Sequence, residues 1–298
     1  MGKVLIALSI LMAMVSCSPR LYPERPKTRP ETRPETRPET RPETRVDEWK
    51  TVRLMTYNVG VFDKYEASGI RLTARIVREM DPDVLVMNEV DSCAGRTGNR
   101  DQLRAFTRAA RRYDGVFAPA LKPFMDGAYG IAETWKRQME PIGTFSMVLP
   151  KGDGSEPRAL VVVEYEDMVV AGTHLDHKSK TAQLEQARVI TDTLMSMYSG
   201  KPVFLCGDFN ALPDSPTIEY MRENWDILSP AKTTYPDSKA LPSWEPDDDV
   251  PGKCIDYIMV LKGSAEYEVV AADVPVTFKA GSAFEASDHL PVYVDVRF

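Results

Sequence analysis

Residues 203–210 read Val-Phe-Leu-Cys-Gly-Asp-Phe-Asn, an apolar run that stops at an acid and, two positions later, an amide. The run predicts a short buried β-strand. Asp208 and Asn210 lie on the same side of an extended segment, because side chains alternate along a strand. Loops at the ends of a rigid sheet often carry function, so these two residues are the first candidates for a functional site.

The same pattern, an apolar strand that stops at a polar side chain, recurs along the chain. The other polar residues in such places are Asn58, Glu89, His174, Asp256, Asp288 and His289. One acidic residue beside a strand is usually a turn or a solvated edge. As a group, however, carboxylates and amides suit a hard cation, and two histidines can donate hydrogen bonds to a phosphate.

Sequence periodicity predicts a protein made mostly of strands, with a few helices spread between them. The predicted helices cover residues 70–80, 101–112 and 180–198, where apolar side chains recur with helical spacing. The predicted strands cover residues 53–59, 84–88, 144–149, 159–165, 168–173, 203–206, 255–261, 267–272 and 292–296. This order does not fit a regular βαβ alternation. It predicts an α/β protein whose sheets pack face to face under outer helices.

The polar strand ends belong to six motifs that together resemble those of the endonuclease/exonuclease/phosphatase superfamily. In chain order they are Thr-Tyr-Asn-Val at 56–59, Asn-Glu-Val at 88–90, Thr-His-Leu-Asp-His at 173–177, Gly-Asp-Phe-Asn at 207–210, Ile-Asp-Tyr-Ile at 255–258 and Ser-Asp-His-Leu-Pro at 287–291. That superfamily includes exonuclease III, DNase I, neutral sphingomyelinases and inositol polyphosphate 5-phosphatases. The resemblance implies a four-layer αββα sandwich like that of DNase I, in which two mixed β-sheets pack face to face with outer helices.

The resemblance also implies a metal site. Glu89 resembles the principal Mg²⁺ ligand, and a carboxylate suits this ion because Mg²⁺ prefers oxygen ligands. Asn58 resembles the amide that fixes that ligand, and Asp288 resembles a second acidic contact to metal or water. The expected cofactor is Mg²⁺, for which Mn²⁺ can substitute. His174 and His177 share a spacing that also occurs in zinc sites, but His174 ends a predicted strand, so zinc is not favoured.

The remaining motif residues resemble the catalytic groups of that superfamily. Asp208 resembles the residue that orients or deprotonates the attacking water, while Asn210 and His174 resemble the groups that bind the phosphate. His289 resembles the invariant histidine, and Asp256 the carboxylate that fixes its tautomer and favours its protonated form. The implied reaction is in-line attack of water on phosphorus. Asp208 and His289 both remain candidates for the general base.

Outside the motifs, the signals for a substrate are weaker. Arg96 follows the Glu89 motif and is a candidate contact to a substrate phosphate, although a solvated arginine explains it nearly as well. Relatives usually continue into a short strand after residues 127–131, whereas residues 132–138 here predict an altered loop. The loops expected to set specificity are 96–100, 124–140 and 235–252.

The first residues of the chain predict export. Lys3 precedes an apolar run at 4–15, which meets Ser16 and Cys17. Such a pattern is typical of a secretory signal, and the run is too short for a transmembrane helix, which needs about 20 apolar residues. Its end resembles a bacterial lipobox, which implies cleavage before Cys17 and lipidation of its thiol. Ordinary secretion with an incidental cysteine is the alternative.

A proline-rich repeat follows the predicted signal peptide at residues 1–17. The tetrapeptide Arg-Pro-Glu-Thr occurs four times between residues 29 and 45. Proline at every fourth residue blocks helix and strand, and the repeat has no apolar side chain to pack. We expect a disordered stalk at 18–45. Residues 46–298 would then form a catalytic domain that is lipid-anchored to a bacterial membrane, outside the cytoplasm.

The charge of the chain bears on its substrate. Lys3 and residues 20–45 contribute +1 and +3 to a formal net charge of −7, which leaves −11 for the rest. So acidic a surface repels a polyphosphate backbone unless local basic groups or bound cations intervene. We expect a monomeric enzyme acting on a phospholipid headgroup, an inositol phosphate or a nucleotide. The alternatives are a secreted nuclease of the DNase I or exonuclease III type and a non-catalytic binding lipoprotein on the same fold.

Overall fold

Long strands dominate the chain, as its periodicity predicts. A computed structural model describes residues 49–65, 69–239 and 249–298. The strands are β1 Thr51–Asn58, β2 Val84–Ala94, β3 Arg100–Asp101, β4 Tyr113–Phe124, β5 Gly127–Lys136, β6 Gly143–Leu149, β7 Arg158–Glu164, β8 Val169–His174, β9 Val203–Asp208, β10 Trp225–Ile227, β11 Tyr235–Pro236, β12 Gly252–Lys253, β13 Asp256–Leu261, β14 Glu268–Asp273, β15 Thr277–Phe278, β16 Gly281–Ser282 and β17 Val292–Arg297. The α-helices are α1 Ile70–Met80, α2 Gln102–Ala110, α3 Lys180–Met197, α4 Pro216–Asn224 and α5 Ala283–Ala286.

Two large sheets contain most of these strands. The first has the order β14-β17-β1-β2-β5-β4, with β3 paired to β2, and the second has the order β10-β13-β9-β8-β7-β6. The pairs β1–β2 and β8–β9 are parallel, whereas the other neighbouring strands are antiparallel. Both sheets are therefore mixed, as predicted.

Alternation along the strands divides the core into three apolar layers. In β1, Leu54 belongs to the cluster between the two sheets, while Met55 belongs to the cluster shared with α1 and α2. In β9, Phe204 faces the other sheet, while Leu205 packs with α3 and α4. Full burial of one such side chain contributes about 1.5–3 kcal/mol. The layers run helices, sheet, sheet, helices, which confirms the predicted αββα sandwich.

Two of the outer helices begin where the sequence supplies a cap. The Ser179 side chain accepts a hydrogen bond from the Ala182 backbone N–H at the start of α3. Ser215 does the same for Ile218 before α4, where Pro216 occupies the first helical turn. Each cap of this kind contributes about 1 kcal/mol to helix stability.

The segment between α2 and β6 corrects the sequence prediction. Residues 132–138 do not form the altered loop expected there, because residues 132–136 belong to β5, which pairs along its length with β4. Prolines interrupt the pattern of β4, and β5 buries two polar residues, Glu133 and Thr134, which hides its strand signal. Much of the predicted specificity loop at 124–140 is therefore strand. Helix α4 was also absent from the prediction.

Several predictions fall outside the described residues. They concern the signal peptide at 1–17 with its lipidation site Cys17, the stalk at 18–45, and residues 240–248 of the loop at 235–252. Among the helices that the structure describes, none combines the length and the apolar character needed to span a membrane.

Candidate functional site

Strand register brings the predicted polar residues to one edge of the sandwich. In the first sheet Asn58 ends β1 beside Asn88 of β2. In the second sheet His174, the last residue of β8, lies opposite Asp208, the last residue of β9. Asp208 also pairs with Asp256, the first residue of β13. All of these side chains are buried, so the two sheets present polar groups to each other at this edge.

The Asn58 amide connects the polar residues of the two sheets. Its Nδ2 donates to Glu89 Oε1 at 3.2 Å and to Asp208 Oδ2 at 3.0 Å. The same atom lies 3.4 Å from His289 Nε2. Its Oδ1 accepts from the Gly60 backbone N–H at 3.0 Å, which sets the orientation of the amide. Glu89, Asp208 and His289 therefore converge on one side chain.

Glu89 reaches this point through a bulge in β2. The register between β2 and β5 shifts between Met87 and Val90, and Glu89 has a φ of 56°. A positive φ is uncommon for a residue with a side chain, and bulges near functional sites often re-aim a side chain. The Lys64 ammonium lies 3.7 Å from Glu89 Oε2 and 3.0 Å from Asp288 Oδ2, so it bridges the two acids.

His289 is held by a carboxylate on one side and by an aromatic ring on the other. Its Nδ1 lies 2.9 Å from Asp256 Oδ2, and the Tyr235 ring centroid lies 4.8 Å from its own. Burial alone would lower the pKa of His289, but the charges of Asp256 and Asp208 outweigh burial and raise it. Burial, together with the charge of Asp256, raises the pKa of Asp208. The protonated form of His289 is therefore favoured, as the resemblance implies.

His174 lies in a different electrostatic setting. Its Nε2 is 3.0 Å from Asn210 Nδ2 and 3.5 Å from Asp208 Oδ2, while its Nδ1 is 3.2 Å from the Arg158 guanidinium. Burial and the charge of Arg158 lower the pKa of His174 well below its ordinary value. Asn210 has a φ of 50°, and its backbone N–H donates to Asp208 Oδ1 at 2.8 Å. The amide of Asn210 is thus placed beside both His174 and Asp208.

The donor set at this edge fits a hard divalent cation. The predicted ligands Glu89 and Asp288 offer carboxylate oxygens, which Mg²⁺ prefers. The third predicted ligand, Asn58, turns its amide nitrogen toward Glu89 and its oxygen toward the Gly60 N–H. A second set consists of Asp208, Asp256 and His289, whose potential ligand atoms all lie within 4.8 Å of one another. Among the described residues, Asp256 Oδ1 is buried and has no hydrogen-bond partner. This buried acidic and histidine cluster can bind a metal ion.

Arg96 lies beside the cluster but is already paired. Its guanidinium donates twice to Asp91, at 2.8 Å for each bond. The same group stacks over the rings of Phe124 and Tyr129, 4.9 and 5.0 Å from their centroids. These contacts hold Arg96 in place, and its contact to a substrate phosphate stays a prediction.

Three residues at the site were not singled out by the sequence analysis, although Tyr235 begins the predicted specificity loop at 235–252. Lys64 lies in the loop after β1, Arg158 is the first residue of β7, and Tyr235 covers His289. None belongs to a motif, and a basic residue at the start of a strand is usually a solvated edge. His177 contacts Arg158 and Ser155.

The chain is similar to a known protein family and to several solved structures. The model of the endonuclease/exonuclease/phosphatase family matches residues 55–289. This span runs from within β1 to His289 and contains every predicted site residue except Cys17.

Among solved structures, a mannosyl-6-phosphatase of Bacteroides thetaiotaomicron is 17% identical with a TM-score of 0.62, covering 83% of this chain and 100% of that one. ANGEL2, a 2′,3′-cyclic phosphatase, is 17% identical with a TM-score of 0.60, covering 84% of this chain and 96% of that one. At this identity the likeness shows the fold. Protein angel of Drosophila melanogaster is 39% identical over 71 residues, a match that spans 23% of this chain and only 20% of that protein.

Proposed function

The chain belongs to the endonuclease/exonuclease/phosphatase family, and from this we propose that it is a Mg²⁺-dependent phosphoester hydrolase that works outside the cytoplasm. The observation that carries the proposal is the convergence of Glu89, Asp208 and His289 on the amide of Asn58. These residues supply a ligand for a hard cation, an acceptor for water and a donor for a phosphate oxygen. A protein that only binds its ligand would not require a cation ligand, a water acceptor and a phosphate donor at one point.

The residues around Asn58 divide the work of hydrolysis. Asp208 Oδ2, 3.6 Å from His289 Nε2, is an acceptor for the attacking water. Because the Nδ1–H of His289 donates to Asp256, its Nε2 faces the cluster, and in the protonated ring this nitrogen donates to a phosphate oxygen. Bound Mg²⁺ supplies positive charge that stabilises the non-bridging oxygens. Since a protonated His289 has no lone pair to accept a proton, Asp208 is the group placed to take the proton of the water.

Charge favours a small phosphoester as the substrate. The acidic domain opposes binding of a polyphosphate backbone, and the basic groups near the cluster are few and paired: Lys64 with Asp288, Arg158 with Glu156, and Arg96 with Asp91. Two proteins of the same fold are a mannosyl-6-phosphatase and a 2′,3′-cyclic phosphatase, which supports a small phosphoester here. A phospholipid headgroup, an inositol phosphate or a nucleotide fits this class, ahead of nucleic acid.

The test of catalysis is hydrolysis of bis-p-nitrophenyl phosphate with Mg²⁺ and then with EDTA. We expect EDTA to abolish turnover and added Mg²⁺ or Mn²⁺ to restore it. Glu89→Gln should lower turnover by about 10²-fold or more, because it removes a charged oxygen ligand. Glu223→Gln, on the exposed face of α4, is the matched control and should match the unmodified protein.

Two outcomes would contradict the proposal. Turnover that is equal with Mg²⁺ and with EDTA would remove the metal from the mechanism. A second panel of substrates would run from sphingomyelin through inositol phosphates and nucleotides to plasmid DNA. If the folded protein hydrolysed none of them, a binding lipoprotein would be favoured. Selective cleavage of plasmid DNA would instead identify the nuclease alternative.

A further inference from the structure

The two large sheets end in four edge strands, and three of these carry features that hinder pairing with another chain. Strand β10 has only three residues, while β14 has a register shift between Val269 and Ala271 and an acid at each end. Strand β4 contains Pro119 and Pro123 and has two register shifts. Short length, bulges, charges and prolines are the usual features that protect an exposed edge.

The fourth edge strand, β6, has none of these features. Its seven residues, Gly-Thr-Phe-Ser-Met-Val-Leu, include neither a charge nor a proline. It pairs with β7 from Gly143 to Leu149 without a register shift, and among the strands that the structure describes it has no partner on its other side. The outward backbone N–H and C=O groups of such a strand are a template for another strand.

Apolar side chains are exposed on both faces of β6. Phe145 and Val148 lie on opposite faces because side chains alternate along a strand, and their exposed fractions are 36% and 55%. A strand added to this edge would cover part of each side chain. Burial of apolar surface would therefore add to the backbone hydrogen bonds of the pairing.

The charges that flank β6 indicate which strand fits it. Glu140 lies six residues before Ser146, and Lys151 lies five residues after it. Both flanking residues are exposed, and neither forms an ion pair with any residue in the described part of the chain. An antiparallel copy of β6 would place Glu140 of each chain beside Lys151 of the other, whereas a parallel copy would place like charges together. The edge is therefore complementary to itself in the antiparallel direction.

We propose that two copies of the chain pair through β6, antiparallel and with Ser146 opposite itself. The two-fold axis passes between the two Ser146 residues, at right angles to the sheet. Phe145 of each chain then lies opposite Met147 of the other, and Thr144 lies opposite Val148. The pairing joins the two six-stranded sheets into one continuous sheet. Such a dimer differs from the monomer expected from the sequence.

The dimer does not depend on the chemistry of the site. Because the two-fold axis reverses the direction of the strands, the two clusters around Asn58 lie at opposite ends of the joined sheet. Neither copy supplies a residue to the site of the other. The inference therefore goes beyond the proposed hydrolase function and does not rest on it.

The first test is the mass of the full chain in density-matched detergent, measured by sedimentation over a wide range of protein concentration. We expect a reversible dimer. Ser146→Lys places two ammonium groups directly opposite each other, so it should raise the dissociation constant of the dimer by about 10-fold or more. Val270→Lys is the matched control, because Val270 is 54% exposed on the bulged edge strand β14, and it should leave the dimer unchanged.

Exchange of the flanking charges tests the direction of pairing. Glu140→Lys alone, or Lys151→Glu alone, turns two attractive contacts of the dimer into repulsive ones and should raise the dissociation constant by about 10-fold. The double variant, Glu140→Lys with Lys151→Glu, restores opposite charges at both contacts and should recover the unmodified value. A weakening that the double variant does not reverse would overturn the antiparallel arrangement.

A monomer at every concentration would overturn the proposal, and so would a dimer that Ser146→Lys does not weaken. Equal weakening by Val270→Lys would place the contact elsewhere and overturn it as well. Circular dichroism checks that each variant is folded, and if Ser146→Lys is not, the charge exchange decides.

Failure of this inference is distinguishable from failure of the proposed function. Mg²⁺-dependent turnover in a protein that stays monomeric would overturn the dimer alone. A dimer that behaves as expected but lacks turnover would overturn the hydrolase proposal and leave the pairing through β6 in place.

Discussion

At the scale of single residues, the site depends on buried groups that restrict one another. Asn58 fixes Glu89, Asp208 and His289 at distances of 3.0 to 3.4 Å. Its amide donates to the carboxylates of Glu89 and Asp208, and hydrogen bonds to an ionised carboxylate are about twice as strong as neutral ones. The cluster therefore constrains both the positions and the protonation states of its members.

The pair of Asp256 and His289 makes a prediction about pH. Asp256→Asn keeps the shape of the side chain but removes the charge that raises the pKa of His289. The protonated ring would then be lost at lower pH, so the alkaline limb of the kcat/KM profile should move to lower pH. We also expect kcat/KM to fall by about 10²-fold or more.

Profiles of kcat/KM against pH for Asp256→Asn and for the control Asp114→Asn check this prediction. Asp114 is an exposed acid paired with Arg137, so its variant should follow the unmodified protein. An alkaline limb that does not move, or that moves to higher pH, would show that Asp256 does not hold the proton of His289.

Some residues of the site could be predicted from the sequence, and others could not. Residues at strand ends, such as Asp208 and His174, were predictable because register forces such ends together. Lys64 and Arg158 were not, because their roles arise from contacts between distant loops and strands. Arg158 meets His174 only because β7 and β8 pair side by side.

At the scale of elements, β5 carries a buried acid that has no evident part in the site. Glu133 is fully buried between β2 and β4. Its Oε1 accepts from the Tyr165 hydroxyl at 3.5 Å, and its Oε2 has no hydrogen-bond partner among the described residues. Burial raises the pKa of Glu133 well above its ordinary value, so the folded protein favours the neutral acid.

Glu133→Gln should therefore stabilise the protein at neutral and alkaline pH. A carboxyl whose pKa is raised on folding contributes stability below its unfolded pKa, and that stability is lost as pH rises through the folded pKa. The amide does not ionise and so avoids this loss, which amounts to about 1.4 kcal/mol for each unit by which folding raises the pKa.

Urea unfolding at about pH 4 and pH 8 measures this effect near the ordinary pKa of a glutamate carboxyl and well above it. The gain should be large at the higher pH and small at the lower one. The control Glu223→Gln on α4 should show little change at either pH. An equal gain at both values would mean that ionisation of Glu133 is not the cause.

Elements differ in how well the sequence predicts them. Helix α1 covers Ile70–Met80, the range that periodicity predicts, because its buried face repeats with helical spacing. The hairpin of β4 and β5 was not predicted, since Glu133 and Thr134 are polar and yet buried. The alternation of polar and apolar residues does not predict a strand whose polar side chains are buried by tertiary contacts.

At the scale of the whole molecule, the proposal joins a catalytic sandwich to a membrane anchor. The sandwich brings the ends of two sheets together, and the predicted signal, Cys17 and stalk would hold it outside the cytoplasm. These are separate claims, because the chemistry at Asn58 does not depend on the anchor. The order of strands and helices, together with the resemblance, predicted the layers, because strands that are apolar on both faces need a covering layer on each face.

Cys17→Ser tests the anchor alone. It removes the thiol that would carry the lipid, so the protein should move from the membrane fraction to the soluble fraction while its turnover stays unchanged. Stable membrane anchoring takes about two lipid signals, so a protein that loses the lipid on Cys17 should no longer stay at the membrane. Fractionation followed by the bis-p-nitrophenyl phosphate assay checks both parts, and Cys254→Ser is the control. Unchanged membrane association of Cys17→Ser would contradict lipidation at this residue.

The central claim is tested most directly by locating the metal. Crystals soaked in Mn²⁺ would be measured at the manganese absorption edge, and anomalous difference density would mark the ion. We predict a peak bound by the Glu89 carboxylate beside Asn58, absent from crystals of Glu89→Gln. A peak held only by Asp256 and His289, or no peak near Asn58 at saturating Mn²⁺, would contradict the account.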